Sequence, residues 1–449
     1  MIVVFSMVAA YIGRTTIFHD SQYYLALADS LVYGKYSAWY QLEIYTPDTL
    51  RTFGYPLFLL PFRLASDSTM PIIIAQYLLY LGAVCLIGDL AYKHGRKTLN
   101  VFLVLVTFNI QIPFYAGQIA TEILTIFLIA VSVWCFHCIR NEKNKYLVIG
   151  LLLGFVFLTK PVILLFPLFI ILSLLIIRKS KLKAFKHAIF LLVPFILMVV
   201  SYAVWNYKNH DVFKVTPLEG GMGVMHVGFW QHKLPDYQDH HYWDHNMGDE
   251  MIKFVGQGDL SRNIQEYEKE WIMIYQSSAP YFSAQDSLRK TLMLKSGKKI
   301  FKIYGSEYTL AREEALKASL VNSVLKEPWF YFKTRVYTAF RIWITGMDKK
   351  KMSPDKSMIS KMSGLTPFLI TFISFGIGFP LVFWRVFCDL RLFKENLYSF
   401  LVIAYFGLVH LPFSIQSRYS VPAHLVALLV LSICLSAKQK TKLWVYETS

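Results

Sequence analysis

Ten apolar runs divide this chain, and the basic residues between them gather at every second connection. The runs lie near 1–18, 71–92, 99–115, 118–139, 146–159, 161–177, 187–205, 366–388, 397–412 and 420–436. Most are long enough, or nearly so, to cross a hydrocarbon core of ~30 Å. Lys93, Arg96 and Lys97 follow the second run, and Arg140, Lys143 and Lys145 the fourth. Arg178, Lys179, Lys181, Lys183 and Lys186 follow the sixth; Arg385, Arg391 and Lys394 the eighth; Lys438, Lys440 and Lys442 the last. Basic residues stay on the cytoplasmic side, so one threading fits all five clusters: about ten crossings with both termini inside. The first run lacks a basic leader and a small-residue cleavage site, and reads as a retained helix. The net charge of +17 is then a property of cytoplasmic loops, and a nucleic-acid partner is not expected.

The expected fold class is an all-α polytopic membrane protein. The threading puts 19–70, 114–117, 159–161, 206–365 and 413–419 on the extracytoplasmic side. It divides the chain into a transmembrane module 1–205 with outer loop 19–70, an outer loop domain 206–365, and C-terminal helices with a cytoplasmic tail, 366–449. The stretch YPLFLLPF at 55–62 is too short to span and reads as an interfacial helix. Runs 146–159 and 161–177 form a hairpin. A first arm of about fourteen residues covers only ~21 Å, so Lys160 at its turn should sit below the outer surface, facing water or an anion. In the outer region, 308–326 has apolar positions at helical spacing; Glu327-Pro328 ends it, and 329–346 is an amphipathic approach to the next crossing. The five cysteines lie in or beside apolar runs, which argues against a disulfide framework.

The threading also gathers ionisable residues from distant parts of the chain at one face. Asp20 follows the first run, and Arg51 precedes the interfacial helix. Glu122 opens the fourth crossing, Lys160 is the hairpin turn, and Arg418 opens the last crossing. Cations beside a carboxylate suit the transfer of a sugar from a lipid phosphate. No nucleotide sugar is available outside the cytoplasmic membrane, so a polyprenyl-linked donor is the expected activated sugar. The cations stabilise the departing phosphate, and a carboxylate takes the proton of the incoming hydroxyl. A single displacement would invert the anomeric centre.

The order of these residues resembles the GT-C superfamily of polyprenyl-phosphate-dependent glycosyltransferases, most of all the branch of protein O-mannosyltransferases and the aminoarabinose transferase of lipid A. An acidic residue with nearby tyrosines follows the first helix, here Asp20 with Tyr23 and Tyr24. The stretch Arg51-Thr52-Phe53-Gly54-Tyr55-Pro56-Leu57-Phe58 enters the interfacial helix. Thr121-Glu122 opens the fourth helix, and Leu158-Thr159-Lys160-Pro161 forms the turn. Trp205-Asn206-Tyr207 follows the seventh helix, with Gly220-Gly221 beyond it, and Arg418-Tyr419-Ser420-Val421-Pro422 opens the last. Two departures stand out: Ser21 follows Asp20 where many relatives have a second acid, and Lys160 stands where arginine is frequent. The resemblance implies a GT-C-type helix bundle that transfers a sugar from a polyprenyl monophosphate to a hydroxyl of a glycan, lipid or protein. It implies Asp20 as base, Arg51, Lys160 and Arg418 on the lipid phosphate with Tyr55 and Tyr419 supporting, and Glu122 ordering the site or touching substrate. Region 222–314 matches no part of the family and is expected to set the acceptor.

Plainer roles stand beside these. Asp20 is also a favoured N-cap for a helix starting near Ser21. Arg51 is also an interfacial anchor, Lys160 a snorkelling lysine, and Arg418 a partner for a lipid headgroup. His226, His232, His240, His241 and His245, with Asp236, Asp239 and Asp244, are too irregularly spaced for a metal set. A related oligosaccharyl-transferring branch holds a divalent metal on paired acids. No clear Asp-x-Asp follows the first helix here, so neither a metal nor another cofactor is expected. Two competing functions remain: an O-antigen ligase or polymerase using a diphosphate-linked donor, and a transporter or flippase, which calls for repeats that this chain lacks.

Overall fold

The computed structural model describes residues 2–14, 19–177, 180–234, 259–296, 304–345, 355 and 357–437. Regular structure among them is helical throughout. Three helices are long and apolar enough to cross a membrane: Met70–Lys93, Lys181–His210 and the continuous stretch Gly364–Cys388. Shorter apolar helices run alongside, including Val3–Arg14, Glu122–Cys138, Leu397–Val409 and Val421–Ser436. Their outward faces are apolar too. Val4, Leu172, Leu197 and Phe387 are exposed, which suits helices solvated by lipid. The chain is an integral membrane protein by these spans.

In chain order the elements that frame the site are α1 (Ile2–Arg14), α2 (His19–Val32), α3 (Gly54–Ala65), α4 (Met70–Lys93), α5 (Arg96–Phe108) and α6 (Gln111–Ala116). There follow α7 (Glu122–Cys138), α8 (Glu142–Thr159), α9 (Phe166–Ile177) and α10 (Lys181–His210). The region between α10 and the next long apolar helix holds α11 (Met222–Trp230), α12 (Leu260–Ser278), α13 (Ala284–Ser296), α14 (Ser306–Lys326) and α15 (Pro328–Arg341). Beyond it lie α16 (Met358–Thr371), α17 (Gly378–Cys388), α18 (Leu390–Glu395), α19 (Leu397–Val409) and α20 (Val421–Ser436). The last of these is buried along nearly its whole length, so it is the central post of the bundle.

Several boundaries differ from the apolar runs, each for a local reason. The run 99–115 breaks at Asn109, between α5 and α6. Pro113 has no amide to donate to the Asn109 carbonyl, and its ring would clash there. α8 starts at Glu142, capped by Asn141, whose side chain accepts from the Asn144 amide. The helical arm therefore has 18 residues, about 27 Å at the usual rise. The short-arm argument for a sunken turn thus fails, because a charged first turn lies outside the apolar count. The break itself is present. Lys160 is extended (φ −146°, ψ 94°) and a 3-10 turn, Pro161–Leu165, follows. Tyr405 of α19 serves that turn: its hydroxyl donates to the Val162 carbonyl and accepts from the Leu165 amide. Buried backbone groups outside regular helix need such partners.

Close helix approaches rest on glycine. Gly150 and Gly154, one turn apart on α8, face α10; a Cβ at Gly150 would lie 2.1 Å from the Leu191 carbonyl oxygen. This is a small-x-x-x-small contact, present in the sequence as GLLLG. Gly54 matters more for the site. A Cβ there would meet the Leu158 carbonyl at 2.6 Å and the Thr159 amide nitrogen at 2.7 Å. The start of α3 therefore rests directly on the end of α8, which brings Arg51 and Lys160 into one neighbourhood. Gly54→Ala is expected to destabilise the fold by about 1–3 kcal/mol, the usual range for overpacking. It should also lower activity, because α3 must move away from the Lys160 turn. Thermal unfolding in detergent checks this, and an unchanged midpoint would mean the contact is slack.

The region of α11 to α15 has its own small core, in which Trp230, Tyr267, Trp271 and Leu316 pack together. At its centre Glu270 accepts from Trp230 Nε1 (3.0 Å), Ser319 (2.8 Å) and Ser323 (2.6 Å), and it contacts His226 Nε2 at 2.9 Å. The helix expected over 308–326 is α14, which ends at Lys326 before Pro328 opens α15. All five cysteines are free thiols.

Candidate active site

Asp20 lies within the first turn of α2 as described, itself helical and not at a cap. A carboxylate there gains from the helix dipole, but its oxygens are committed elsewhere. Oδ1 accepts from Arg51 Nη2 at 2.7 Å and Oδ2 from Arg418 Nη1 at 3.1 Å. The capping role is therefore replaced by a double ion pair joining residues 20, 51 and 418. Burial raises the carboxyl's pKa, yet the two guanidinium groups outweigh it and hold Asp20 at about 2.

Each arginine keeps donors in reserve. Arg51 Nε is buried and without a partner. Arg51 also lies over the Tyr24 ring, 5.3 Å from its centre. Arg418 Nε donates to Gln416 Oε1 at 2.7 Å, which leaves its Nη2 uncommitted among the described residues. The Arg418 backbone belongs to a short 3-10 turn, Ser417–Tyr419, just before α20.

A second pair stands beside the first. Glu122 at the start of α7 lies 3.4 Å from Lys160 Nζ, and both side chains are largely buried. Lys160 is within electrostatic reach of Asp20 and Arg418, as Glu122 is of Arg418. Four of the five ionisable residues thus pair up, Asp20 with Arg51 and Glu122 with Lys160, and Arg418 joins them. Three cations face two carboxylates in this cluster, so it has a surplus positive charge to offer an anion.

The two tyrosines sit differently. Tyr419 stacks flat on His410, with ring centres 4.7 Å apart at 11°, and Arg418 lies 6.0 Å above the Tyr419 ring centre. Tyr55 is wholly buried. Its hydroxyl donates to Gln76 Oε1 at 2.6 Å, and its ring meets Tyr24 edge-on. Gln76 in turn donates to the Ala116 and Gln118 carbonyls, fixing the strand of chain that leads to Glu122.

The motif residues around the cluster act mainly as supports. Asn206 donates to the Lys214 and Thr216 carbonyls. Trp205 packs edge-on against Phe53 at 5.1 Å, two residues beyond Arg51 in sequence. Gly221 has φ 89°, a left-handed conformation that favours glycine. The Gly-Gly loop is held by Glu313, which accepts from the Gly220 (2.8 Å) and Met222 (3.3 Å) amides. Gln76, Tyr115, Gln416, His410 and Asp48, all near the cluster, lie outside the quoted motifs. Gln416 and His410 flank Arg418-Tyr419 closely enough for the motif to have flagged them; Asp48 has no signal beyond a Thr-Pro-Asp-Thr turn.

Among the described residues no group of three or more His, Cys, Asp or Glu side chains has metal-binding geometry. His226 is spent on Glu270, and His232 is buried. His240, His241, His245, Asp236, Asp239 and Asp244 lie outside the described residues.

No protein-family model matches the chain, and no curated protein does. Among solved structures the chain is similar to ArnT from Cupriavidus metallidurans bound to undecaprenyl phosphate, at 10% identity and a TM-score of 0.38. The match covers 94% of this chain and 77% of that one.

Proposed function

We propose that this chain is an inverting GT-C-type glycosyltransferase of the cytoplasmic membrane, working on the extracytoplasmic face with a polyprenyl-monophosphate sugar and a hydroxyl-bearing glycan, lipid or protein acceptor. The observation that carries the reading is Asp20 gripped by Arg51 and Arg418, with the Glu122–Lys160 pair alongside. In the reaction the acceptor oxygen attacks the anomeric carbon, the bond from that carbon to the phosphate oxygen breaks, and Asp20 takes the hydroxyl proton. The polyprenyl phosphate leaves with its charge stabilised by Arg51, Arg418 and Lys160, so no general acid is needed. Tyr419 braces Arg418, and Tyr55 braces Tyr24 under Arg51. Glu122 orders Lys160.

At a pKa of about 2 Asp20 is a weak base while both arginines hold it. A donor phosphate competes for the same guanidinium groups, and the unpartnered Arg51 Nε is a ready donor for one of its oxygens. Donor binding would thus loosen Asp20 and raise its basicity where the acceptor arrives. Donor should then bind before acceptor.

The test is purified protein with a panel of radiolabelled polyprenyl-monophosphate and polyprenyl-diphosphate sugars. Transfer or slow donor hydrolysis with monophosphates alone is the expected result. Turnover restricted to diphosphates would replace the reading with a ligase-type enzyme. Membrane passage of a lipid-linked sugar without any cleavage would replace it with a flippase.

A further inference from the structure

The loop ahead of α3 carries Arg51, and its hub is a carboxylate that the reaction does not use. Asp48 is wholly buried. Its Oδ1 accepts from the Leu50 amide at 2.8 Å and the Arg51 amide at 2.6 Å, and its Oδ2 accepts from the Tyr23 hydroxyl. Tyr23 lies on α2, one turn beyond Asp20. Asp48 therefore ties the backbone of Arg51 to the helix that carries Arg51's partner.

The same loop is gripped from the region of α11 to α15. Arg289 of α13 donates to the Thr46 hydroxyl at 2.7 Å. His210 Nε2 donates to the Asp48 carbonyl at 3.1 Å, and its Nδ1 accepts from Ser306 of α14 at 2.7 Å. The Glu219 amide donates to the Thr49 carbonyl at 2.9 Å. The Arg51 carbonyl accepts from Tyr36 (3.3 Å) and Tyr202 (3.4 Å). An Asp in a Pro-Asp turn commonly bonds amides two and three residues on. What goes beyond such a turn is the buried tie to Tyr23 and a grip on the loop from elements over 150 residues away.

We infer that Asp48 is a positioning residue: it sets Arg51 against Asp20, and the region of α11 to α15 reaches the site through this loop. The inference rests on the proposed transfer reaction. Every group bonded to the Asp48 carboxyl is a donor, so the ionised form holds the loop best. The titratable and charged groups around it are Tyr23 from α2, Tyr36, Tyr45 and Arg51 from the loop, and Tyr202 and His210 from α10. Burial raises the Asp48 pKa to about 6, against the pull of Tyr23 and the two amides. As pH falls through that value the carboxyl gains a proton, its bonds lose their charge assistance, and the hold on Arg51 slackens.

Asp48→Ala, Asp48→Asn and Tyr23→Phe test this. Amide exchange over 46–53 should speed up in Asp48→Ala, and transfer should fall tenfold or more at all pH values. Asp48→Asn keeps an acceptor for the two amides and should recover part of the rate. Wild-type transfer should step down a few-fold near pH 6, towards the Asp48→Asn level. Asp48→Asn should lack that step. Tyr23→Phe removes a bond to the ionised form and should move the step to higher pH. A filler role for Asp48 would not make the step follow Tyr23. Unchanged exchange in Asp48→Ala, or a step that survives in Asp48→Asn, overturns the inference. If Asp48→Ala fails to fold, the Tyr23→Phe shift decides. Wild type inert towards every monophosphate donor would overturn the proposed function, while the exchange comparison would still decide whether Asp48 holds Arg51.

Discussion

Asp20→Asn should reduce sugar transfer by about 10²–10⁴, the usual contribution of a positioned general base, and leave donor binding intact or slightly tighter. The variant keeps the shape of the side chain. It removes the site that accepts the acceptor's proton and the charge that competes for Arg51 and Arg418. Two bonds now tie up those guanidinium groups, at 2.7 and 3.1 Å; without the carboxylate both are easier to recruit to a phosphate. Structural damage should be modest, because both arginines are partly open to solvent and are not left as fully buried unpaired charges. The measurement is single-turnover transfer together with equilibrium binding of a polyprenyl monophosphate. Full activity in Asp20→Asn would remove Asp20 as base. Loss of binding along with activity would make it a structural brace.

The sequence made the charged cluster legible because the positive-inside pattern sorts loops into two sides, and that sorting alone collects Asp20, Arg51, Glu122, Lys160 and Arg418. It also carried the α3 and α14 helices and the Lys160 turn, where Pro161 and Pro328 punctuate strongly. Pairings were not legible. Nothing in the order of residues says that Arg418 shares Asp20 with Arg51, or that Glu122 belongs to Lys160, since these contacts depend on how helices far apart in sequence cross. Asp48 was hidden for a related reason: a Pro-Asp turn in an outer loop looks like surface, and only the packing of α2, α10 and α13 around it makes it buried. The apolar runs misjudged α8 because they counted hydrophobicity, whereas the helix is capped by polar Asn141 and continues through Lys143 and Lys145. The glycine contacts were present as GLLLG and as the glycine of RTFGYP, yet which helix each one faces is a tertiary fact.

Arg418→Gln should weaken binding of a polyprenyl monophosphate by at least tenfold. Arg418 offers a fork with one arm on Asp20, its Nε on Gln416 and its Nη2 uncommitted. A hydrogen bond to a charged group contributes ~1.5–3 kcal/mol. The side chain is 29% exposed, so solvent screening favours the lower end of that range, still about one factor of ten in affinity. Arg418→Lys keeps the charge but not the fork: an ammonium can reach Asp20 or a phosphate oxygen, yet it does not reproduce the planar brace between Gln416 and Asp20. It should fall between wild type and Arg418→Gln. The double variant Asp20→Asn/Arg418→Gln separates two ways in which the arginine can act. If Arg418 binds phosphate directly, the double variant stays well below wild type, close to Arg418→Gln. If Arg418 serves only to neutralise Asp20, removing both restores wild-type affinity, because no unpaired carboxylate remains to repel the donor. An unchanged affinity in Arg418→Gln itself would take the phosphate away from Arg418 and leave it to Arg51 and Lys160.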